Sequence, residues 1–413
     1  MSGTERMTYK YRWVILAIFS VINAVIQMQW LTFASVASIA QKVYKVSSFQ
    51  IDSLSMIFML VFIVVCIPAS YIIDKFGIRT GVGIGAILTG IFGLLKGIYA
   101  GNYNVILFAQ FGLAVAQPFI LNATTKIGVN WFPIDERGAQ AGISSLFQYL
   151  GIIFAMVVTP MLVTYTYING QKIYNLKFML MFYGIISIAS AILVILFLKE
   201  KPPIPPAKES SEKRLKTVEG ILYIIKQKDM IFLLVIFFFG LGMFNAISTC
   251  IDKICKLKAL DAAKTGIVGG VMLIGGVAGA CILPALSDKL KKRKLFLILP
   301  LLLSLPGLLG LTFANTYTGT LISSFIFGFF LMSAAPIGFQ YSAEISFPAS
   351  ESLSQGLIIL SGQISGIFFI VGMNMFSTQL CMYIFILLTA ISLLLSFIIK
   401  ESPMILEEDR RVS

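Results

Sequence analysis

The stretch WFPIDERGAQAGISSLFQYLGIIF, residues 131–154, recurs in diverged form 215 positions further along the chain. Identical pairs at this offset include Phe132 and Phe347, Pro133 and Pro348, Glu136 and Glu351, Gln140 and Gln355, Gln148 and Gln363, Gly151 and Gly366, and Phe154 and Phe369. A repeat of this length is far longer than a solenoid period. It therefore predicts two similar halves related by a pseudo-twofold axis.

The composition indicates what the halves are made of. Of 413 residues, 58% are hydrophobic and only 12% are charged, and the mean hydropathy is +0.90. The apolar runs are about 20 residues long, the length of a helix that crosses a bilayer. Since a helix satisfies its own backbone hydrogen bonds in lipid, these runs predict an all-α membrane protein.

Twelve apolar runs predict twelve transmembrane helices in two pseudo-symmetric six-helix halves. They cover about 12–38, 51–73, 80–99, 103–128, 138–165, 176–198, 230–252, 262–286, 294–314, 317–343, 353–376 and 379–399. The domains predicted from them are an N-terminal half (1–198), a cytoplasmic linker (199–229) and a C-terminal half (230–413). Within the polar linker, a short amphipathic helix is expected near residues 218–225.

The net charge of +13 is explained by topology. Most of the 32 lysines and arginines fall in the segments on the same side as both termini, and cytoplasmic loops carry such an excess. We therefore expect a multi-pass protein of the cell membrane with both termini in the cytoplasm. The lipid bilayer and a small-molecule substrate are the expected partners; nucleic acid is not, and the protein is expected to be a monomer.

The sequence lacks the residues that several kinds of functional site require. The sequence has no histidine, and its five cysteines show neither a disulfide framework nor zinc spacing. It also offers no nucleophile with a base and no phosphate-binding loop. We therefore predict no cofactor, no metal site and no enzyme activity.

Polar residues inside the predicted spans are candidates for a substrate site, because unsatisfied polar groups are costly in lipid. The first span holds Asn23, Gln27 and Trp30, and the repeat offset places Trp30 on Asn245 of the seventh span. Two unusual positions at equivalent places predict a central site between the halves. A tryptophan at the membrane interface is the alternative interpretation of Trp30.

Charged turns follow the second and eighth spans. They read DKFGIR from Asp74 to Arg79 and DKLKKR from Asp288 to Arg293. These turns, together with the WFP-x-x-ER sequence at residues 131–137, resemble the major facilitator superfamily. The resemblance implies that Asp74, Arg79 and Asp288 belong to a conformational latch; the alternative is that they only set the topology. Glu344, near the cytoplasmic end of the tenth span, is a further candidate for this latch, as a gate or an internal ion-pair partner; a substrate ligand is the alternative.

Longer stretches narrow the resemblance. They are NAVIQMQWLTF at residue 23, IDSLSMIFML at 51, LAVAQPFIL at 113, PIGFQYSAEISFPASES at 336 and SGQISGIFF at 361. Together they resemble the feline leukaemia virus subgroup C receptor-related transporters, a family associated with choline, ethanolamine and, earlier, haem. The resemblance implies a cation site at Trp30, Gln117 and Gln363. Asn245 stands where that family has a tyrosine, so one aromatic wall of the site is missing.

These features predict alternating-access transport of a small amine or quaternary ammonium compound, facilitative or driven by the membrane potential. Besides the four residues that align with the cation site, Gln148 and Gln340 are secondary substrate candidates. The span centres are almost free of carboxylates, and we expect Lys96 to snorkel to the outer surface. Proton-coupled efflux or uptake of another small polar metabolite or vitamin is the alternative, and a non-transporting membrane receptor is a further one.

Overall fold

The computed structural model describes residues 10–133, 136–202, 217–347, 349 and 351–402. Twelve helices in these ranges are long and apolar enough to cross a membrane, which confirms the predicted helical architecture. The chain divides into two compact units, residues 1–211 and 212–413. The limits predicted for the linker stay a prediction, since residues 203–216 lie outside the described ranges.

The first unit contains eight α-helices and one hairpin among its described residues. In chain order they are α1 Tyr11–Trp30, α2 Ala37–Tyr44, α3 Ser48–Phe76, α4 Ile78–Ile98, α5 Tyr103–Leu121, α6 Ala123–Trp131, α7 Arg137–Leu162, β1 Thr164–Ile168, β2 Gln171–Asn175 and α8 Lys177–Phe197. The core of this unit is apolar, with Tyr183 of α8 as its largest fully buried side chain.

The second unit is also helical in its described part. Its elements are α9 Thr217–Lys226, α10 Lys228–Thr249, α11 Ile251–Lys256, α12 Ala262–Leu290, α13 Arg293–Phe313, α14 Tyr317–Ser346, α15 Glu351–Met375 and α16 Thr378–Ile398. The short helix expected in the linker is confirmed as α9. Because α4 and α13 begin and end 215 residues apart, the sequence repeat is also a repeat of structure.

The first span is interrupted, contrary to the prediction of one helix over residues 12–38. Helix α1 ends at Trp30, a turn covers residues 31–33, a 3₁₀ turn covers Ala34–Val36, and α2 follows. Where α1 stops, its last carbonyls lose their intrahelical donors. Side chains of neighbouring helices supply hydrogen bonds there, so the break occurs without orphaned carbonyls at Gln29 and Trp30.

A β-hairpin connects the fifth and sixth spans. Strands β1 and β2 pair antiparallel from Thr164 opposite Asn175 to Ile168 opposite Gln171. The two residues between them, Asn169 and Gly170, have positive φ angles of 51° and 76°. This is the backbone of the tight hairpin turn that Asn-Gly favours.

Small residues bring helices close together in both units. In the first unit, Gly97 of α4 lies against the backbone of Met181 of α8, and in the second, Gly279 of α12 lies against the backbone of Phe329 of α14. An added side chain at either glycine would collide with backbone atoms. Close approach at small residues is the usual way in which membrane helices gain packing energy.

Candidate functional site

One face of α1 carries the polar side chains of the first span. Asn23, Gln27 and Trp30 are spaced four and three residues apart, so they lie on the same side of the helix. All three are buried, with exposed fractions of 0%, 8% and 7%. These three residues are called the polar face of α1 below.

Two predicted site residues on other helices contact this face. The Gln117 side chain of α5 donates to Gln27, with Nε2 3.2 Å from Oε1. The Gln148 side chain of α7 donates to Asn23, with Nε2 3.2 Å from Oδ1. Asn23 in turn donates to the carbonyl of Phe19, one turn earlier. The structure therefore brings Trp30, Gln117 and Gln148 to one helix face.

Trp30 is held at the interrupted end of α1. Its indole Nε1–H donates to the carbonyl of Ser55 at 3.2 Å, and the Ser55 hydroxyl donates back to the Trp30 carbonyl at 3.0 Å. Since the indole hydrogen bond is satisfied within the first unit, the N–H is already engaged, and the ring face is the part of the side chain without a hydrogen-bond requirement. Among the described residues, no aromatic ring stacks on it.

In the second unit, Asn245 contacts the residue before Gln363, where α10 packs on α15. Asn245 is 8% exposed, and its Nδ2 donates to the carbonyl of Gly362 at 3.2 Å. Gln363 is the next residue along α15 and is half-buried. Its side chain makes no hydrogen bond to any residue that the structure describes.

The predicted latch residue Glu344 lies in a charged cluster of the second unit. Its carboxylate is 3.2 Å from the guanidinium of Arg293, and both side chains are 9% exposed. Arg293 also pairs with Asp288, and Gln340 donates to Glu344 at 3.1 Å. The structure therefore places Gln340, a secondary substrate candidate, with this charged cluster.

The charged turn of the first unit is more open. Asp74 is 77% exposed and lies 3.5 Å from Lys126, whose ammonium also donates to the carbonyls of Ile73 and Asp74. Arg79 is bound through its backbone, because its N–H donates to the Glu200 carboxylate at 2.8 Å. Its side chain is exposed. Asp74 and Arg79 are thus near one turn but do not pair with each other.

Sequence reasoning missed two glutamates at equivalent places. Glu200 follows the sixth span and accepts from the N–H of Arg79, and Glu401 follows the twelfth span and accepts from the N–H groups of Arg293 and Lys294. A carboxylate at a helix N-terminus satisfies free N–H groups and complements the helix dipole. The recurrence of Lys-Glu after both spans, at Lys199 and Lys400, was the available signal.

The prediction that Lys96 snorkels to the outer surface is wrong. Its side chain is 0% exposed, and its Nζ lies 3.1 Å from Gln110 Oε1 and 3.3 Å from Thr32 Oγ1. The physical reason is that neighbouring helices supply oxygens inside the unit. The spans of the first unit therefore contain a buried lysine.

The polar face of α1, Asn245 and Gln363 offer neutral amides and one indole ring. Such groups can donate and accept hydrogen bonds and offer an aromatic face to a cation, but they supply no fixed charge. Within the described part of the chain, no three histidine, cysteine, aspartate or glutamate side chains come together to hold a metal ion.

The comparisons with known proteins agree on the family. The family model described as Major Facilitator Superfamily matches residues 18–370. The Choline/ethanolamine transporter FLVCR2 of Homo sapiens is 30% identical over 385 residues, which cover 89% of this chain and 73% of the human protein. The MFS-type transporter C09D4.1 of Caenorhabditis elegans is 29% identical over 378 residues, which cover 88% of this chain and 64% of that relative.

The structural comparison supports the fold. A bacterial homologue of the human lysosomal transporter Spinster matches with a TM-score of 0.73, covering 96% of this chain and 97% of its own. Its sequence is only 14% identical. At that identity the likeness concerns the arrangement of helices and carries no information on the substrate.

Proposed function

Because this chain belongs to the major facilitator superfamily of membrane transporters, we propose that it carries a small organic cation, choline or ethanolamine first, by alternating access. Membership makes the chain a multi-pass membrane transporter of a small molecule and not an enzyme. The substrate and the residues that bind it are our proposal. So is the location in the cell membrane with both termini in the cytoplasm.

The observation that carries the proposal is the environment of the Trp30 side chain. Its N–H is satisfied by Ser55, no described ring covers it, and amide side chains lie along the same helix face. An aromatic face attracts an alkylammonium group by roughly 0.5 to 2 kcal/mol. The names of the relatives, which include choline and ethanolamine, agree with this chemistry.

The proposed substrate ligands are Trp30, Gln117 and Gln148 of the first unit and Asn245 and Gln363 of the second. Asn245 supplies an amide where the resembling family has a tyrosine, so the site has fewer aromatic walls and more hydrogen-bonding groups. This composition favours a substrate with its own donors, which makes ethanolamine as good a candidate as choline. The membrane potential would drive uptake of either cation at about 2.3 kcal/mol per charge per 100 mV.

The charged clusters are proposed as conformational latches. Arg293 joins Asp288 on α12 to Glu344 on α14, and Lys126 joins the end of α3 to α6. Ion pairs between helices of one unit stabilise one arrangement of their ends, and a change of partners would release it. Arg79 is included in the proposed latch because α4, which contains it, begins at the charged turn of the first unit.

A neutral polar metabolite or vitamin is the second candidate substrate. It is favoured by the hydrogen-bonded amides of Asn23, Gln27, Gln117 and Gln148, which suit a solute with several donors and acceptors. Coupling to a proton gradient would distinguish this transport from the potential-driven uptake of a cation.

The test is uptake of radiolabelled choline and ethanolamine into proteoliposomes, with and without an inside-negative potential. Trp30→Phe and Trp30→Leu both remove the indole N–H, but only phenylalanine retains an aromatic face. Trp13→Phe is the matched control, because Trp13 is on the same helix and 48% exposed. We expect saturable, potential-sensitive uptake that Trp30→Leu reduces more than Trp30→Phe, with Trp13→Phe unchanged.

Absence of uptake of both compounds by folded protein would overturn the cation proposal. A proton-gradient-dependent flux of a neutral solute would then favour the second candidate. Binding of a ligand without any flux, in either direction, would favour a receptor.

A further inference from the structure

Lys96 of α4 is a fully buried cationic side chain that the proposed substrate site does not use. Its Nζ contacts two neutral oxygens, Gln110 Oε1 and Thr32 Oγ1, and the ring of Phe33, whose centroid is 5.5 Å away. Among the described residues, it forms no ion pair with a carboxylate. A charged group in a membrane span is costly, so such a residue calls for a functional explanation.

The contacts of Lys96 lead directly to the interrupted end of α1. The Thr32 hydroxyl lies 3.1 Å from the Met28 carbonyl and 3.0 Å from that of Gln29. The Gln110 amide donates to the Gln29 carbonyl at 3.5 Å and to the Leu54 carbonyl at 3.1 Å. Both oxygens that face the ammonium thus belong to side chains that bind backbone carbonyls in this region.

The end of a helix is a favourable place for a positive charge. The last carbonyls of α1 have no intrahelical donors, and together they carry about half a negative charge. Lys96 polarises Thr32 and Gln110, which strengthens the hydrogen bonds that these residues donate to the same carbonyls. The next carbonyl, that of Trp30, is bound by Ser55. The contacts of Lys96 therefore lead, through Thr32 and Gln110, to the end of α1 at which Trp30 lies.

The repeat supplies an internal comparison. At the offset of 215, the positions of Gln29, Thr32, Lys96 and Gln110 are occupied in the second unit by Phe244, Ile247, Leu311 and Phe325. All four are apolar, and Leu311 is 1% exposed. Helix α10 continues to Thr249, whereas α1 stops at Trp30, whose equivalent is Asn245. The repeated fold therefore does not require polar residues at these four positions. Helix α10, whose surroundings lack them, is longer at this end than α1.

We infer that Lys96 is a positioning residue: its charge stabilises the interruption of the first span and thereby fixes Trp30 for the substrate. This inference rests on the proposed function in naming Trp30 as a substrate ligand. The interruption itself and its dependence on Lys96 are independent of the substrate.

The test compares Lys96→Met with Leu311→Met in proteoliposome uptake of choline or ethanolamine. The two variants place the same side chain at equivalent positions of α4 and α13. We expect Lys96→Met to raise KM about tenfold, within the range of coupling between residues of one hydrogen-bond network, with little change in maximal rate. Leu311→Met should leave both unchanged.

A double-mutant cycle separates positioning from general damage to the fold. If Lys96 acts through Trp30, Lys96→Met should change KM by less than about twofold in a Trp30→Leu background, because the group that it positions is already gone. Fully additive effects of Lys96→Met and Trp30→Leu would overturn the inference. If Lys96→Met does not fold, the same cycle is measured with Thr32→Val. This variant removes the hydroxyl that links Lys96 to the carbonyls of α1 and keeps the charge of Lys96.

A fluorescence measurement keeps the inference testable without a transported substrate. In a Trp13→Phe/Trp131→Phe background, Trp30 is the sole tryptophan of the chain. We expect Lys96→Met to raise the acrylamide quenching of Trp30 and Leu311→Met to leave it unchanged. Unchanged quenching in Lys96→Met would overturn the inference, whereas absence of transport by the wild type would overturn the proposed substrates alone.

Discussion

Gln148 donates a hydrogen bond to Asn23, with 3.2 Å between Nε2 and Oδ1, whereas its repeat partner Gln363 makes no hydrogen bond among the described residues. The same residue type at equivalent positions therefore has two different environments. The Gln148 amide is partly engaged by its own unit. We propose that the Gln363 amide keeps its donors and acceptor for a ligand.

We predict that Gln363→Met raises the KM for substrate more than Gln148→Met does. Loss of a hydrogen bond to a charged ligand costs about 1.5 to 3 kcal/mol, which is tenfold or more in KM. The loss at Gln148 should be nearer the average for membrane hydrogen bonds, about 0.6 kcal/mol or roughly threefold. Initial rates of uptake over a range of substrate concentrations measure both. Equal effects would contradict the different environments of the two amides.

Asn245 should set the preference between a quaternary and a primary ammonium group. We predict that Asn245→Tyr, which adds an aromatic wall, improves the KM for choline relative to ethanolamine by about fivefold, or about 1 kcal/mol of cation–π attraction. Asn245→Leu is the control, because it removes the amide and adds no π-system. A shift of the same size in both variants would mean that the lost hydrogen bond to Gly362, and not the aromatic ring, changes the preference.

The two charged turns should differ in their contribution to stability. Breaking a buried ion pair costs about 3 to 5 kcal/mol, so Glu344→Gln, which weakens the pair with Arg293, should lower the melting temperature clearly. Asp74 is 77% exposed, and an exposed pair contributes about 0 to 1 kcal/mol. Asp74→Asn should therefore melt close to the wild type. Thermal unfolding in detergent measures both.

The transport rates of the same two variants test the latch. We expect Asp74→Asn to change the maximal rate of uptake although its stability is preserved, because a latch acts on the exchange between conformations. A variant with unchanged stability and unchanged rate would show that Asp74 serves topology alone.

The thiol of Cys255, in the short helix α11, should react only at unusually high pH. Burial disfavours the thiolate and raises the pKa of Cys255 to about 12. The rate of alkylation by iodoacetamide should therefore keep rising above pH 11, whereas that of an ordinary thiol is half-maximal near pH 8.5 and levels off about two pH units higher. The measurement uses a variant in which Cys255 is the sole cysteine, with the unfolded protein as control. A half-maximal rate near pH 8.5 in the folded protein would contradict this prediction.

The same pKa shift links stability to pH. Above about pH 8.5 the unfolded thiol loses its proton while the folded thiol keeps it, so the unfolded state binds fewer protons. The free energy of unfolding should then fall as pH rises from about 8.5 to 12. Cys255→Ala should remove this part of the pH dependence.

The sequence alone determined the number of spans, the two repeated halves and the family. Hydropathy is a local property of about 20 consecutive residues, and the requirement that backbone groups in lipid bond internally turns each run into a helix. The repeat offset also identified Gln148 and Gln363 as equivalent positions, because identity at a fixed spacing needs no knowledge of contacts.

The tertiary structure decided where those helices break and which polar groups meet. Lys96 lies 64 residues from Thr32 and 14 from Gln110 along the chain, and only packing of α1, α4 and α5 brings the three together. An isolated lysine near a helix end is expected to reach the surface, and it stays inside here because neighbouring helices offer it oxygens. Likewise, Glu344 could be read from the sequence as a gate or an ion-pair partner, and its contact with Arg293 depends on how α13 and α14 pack.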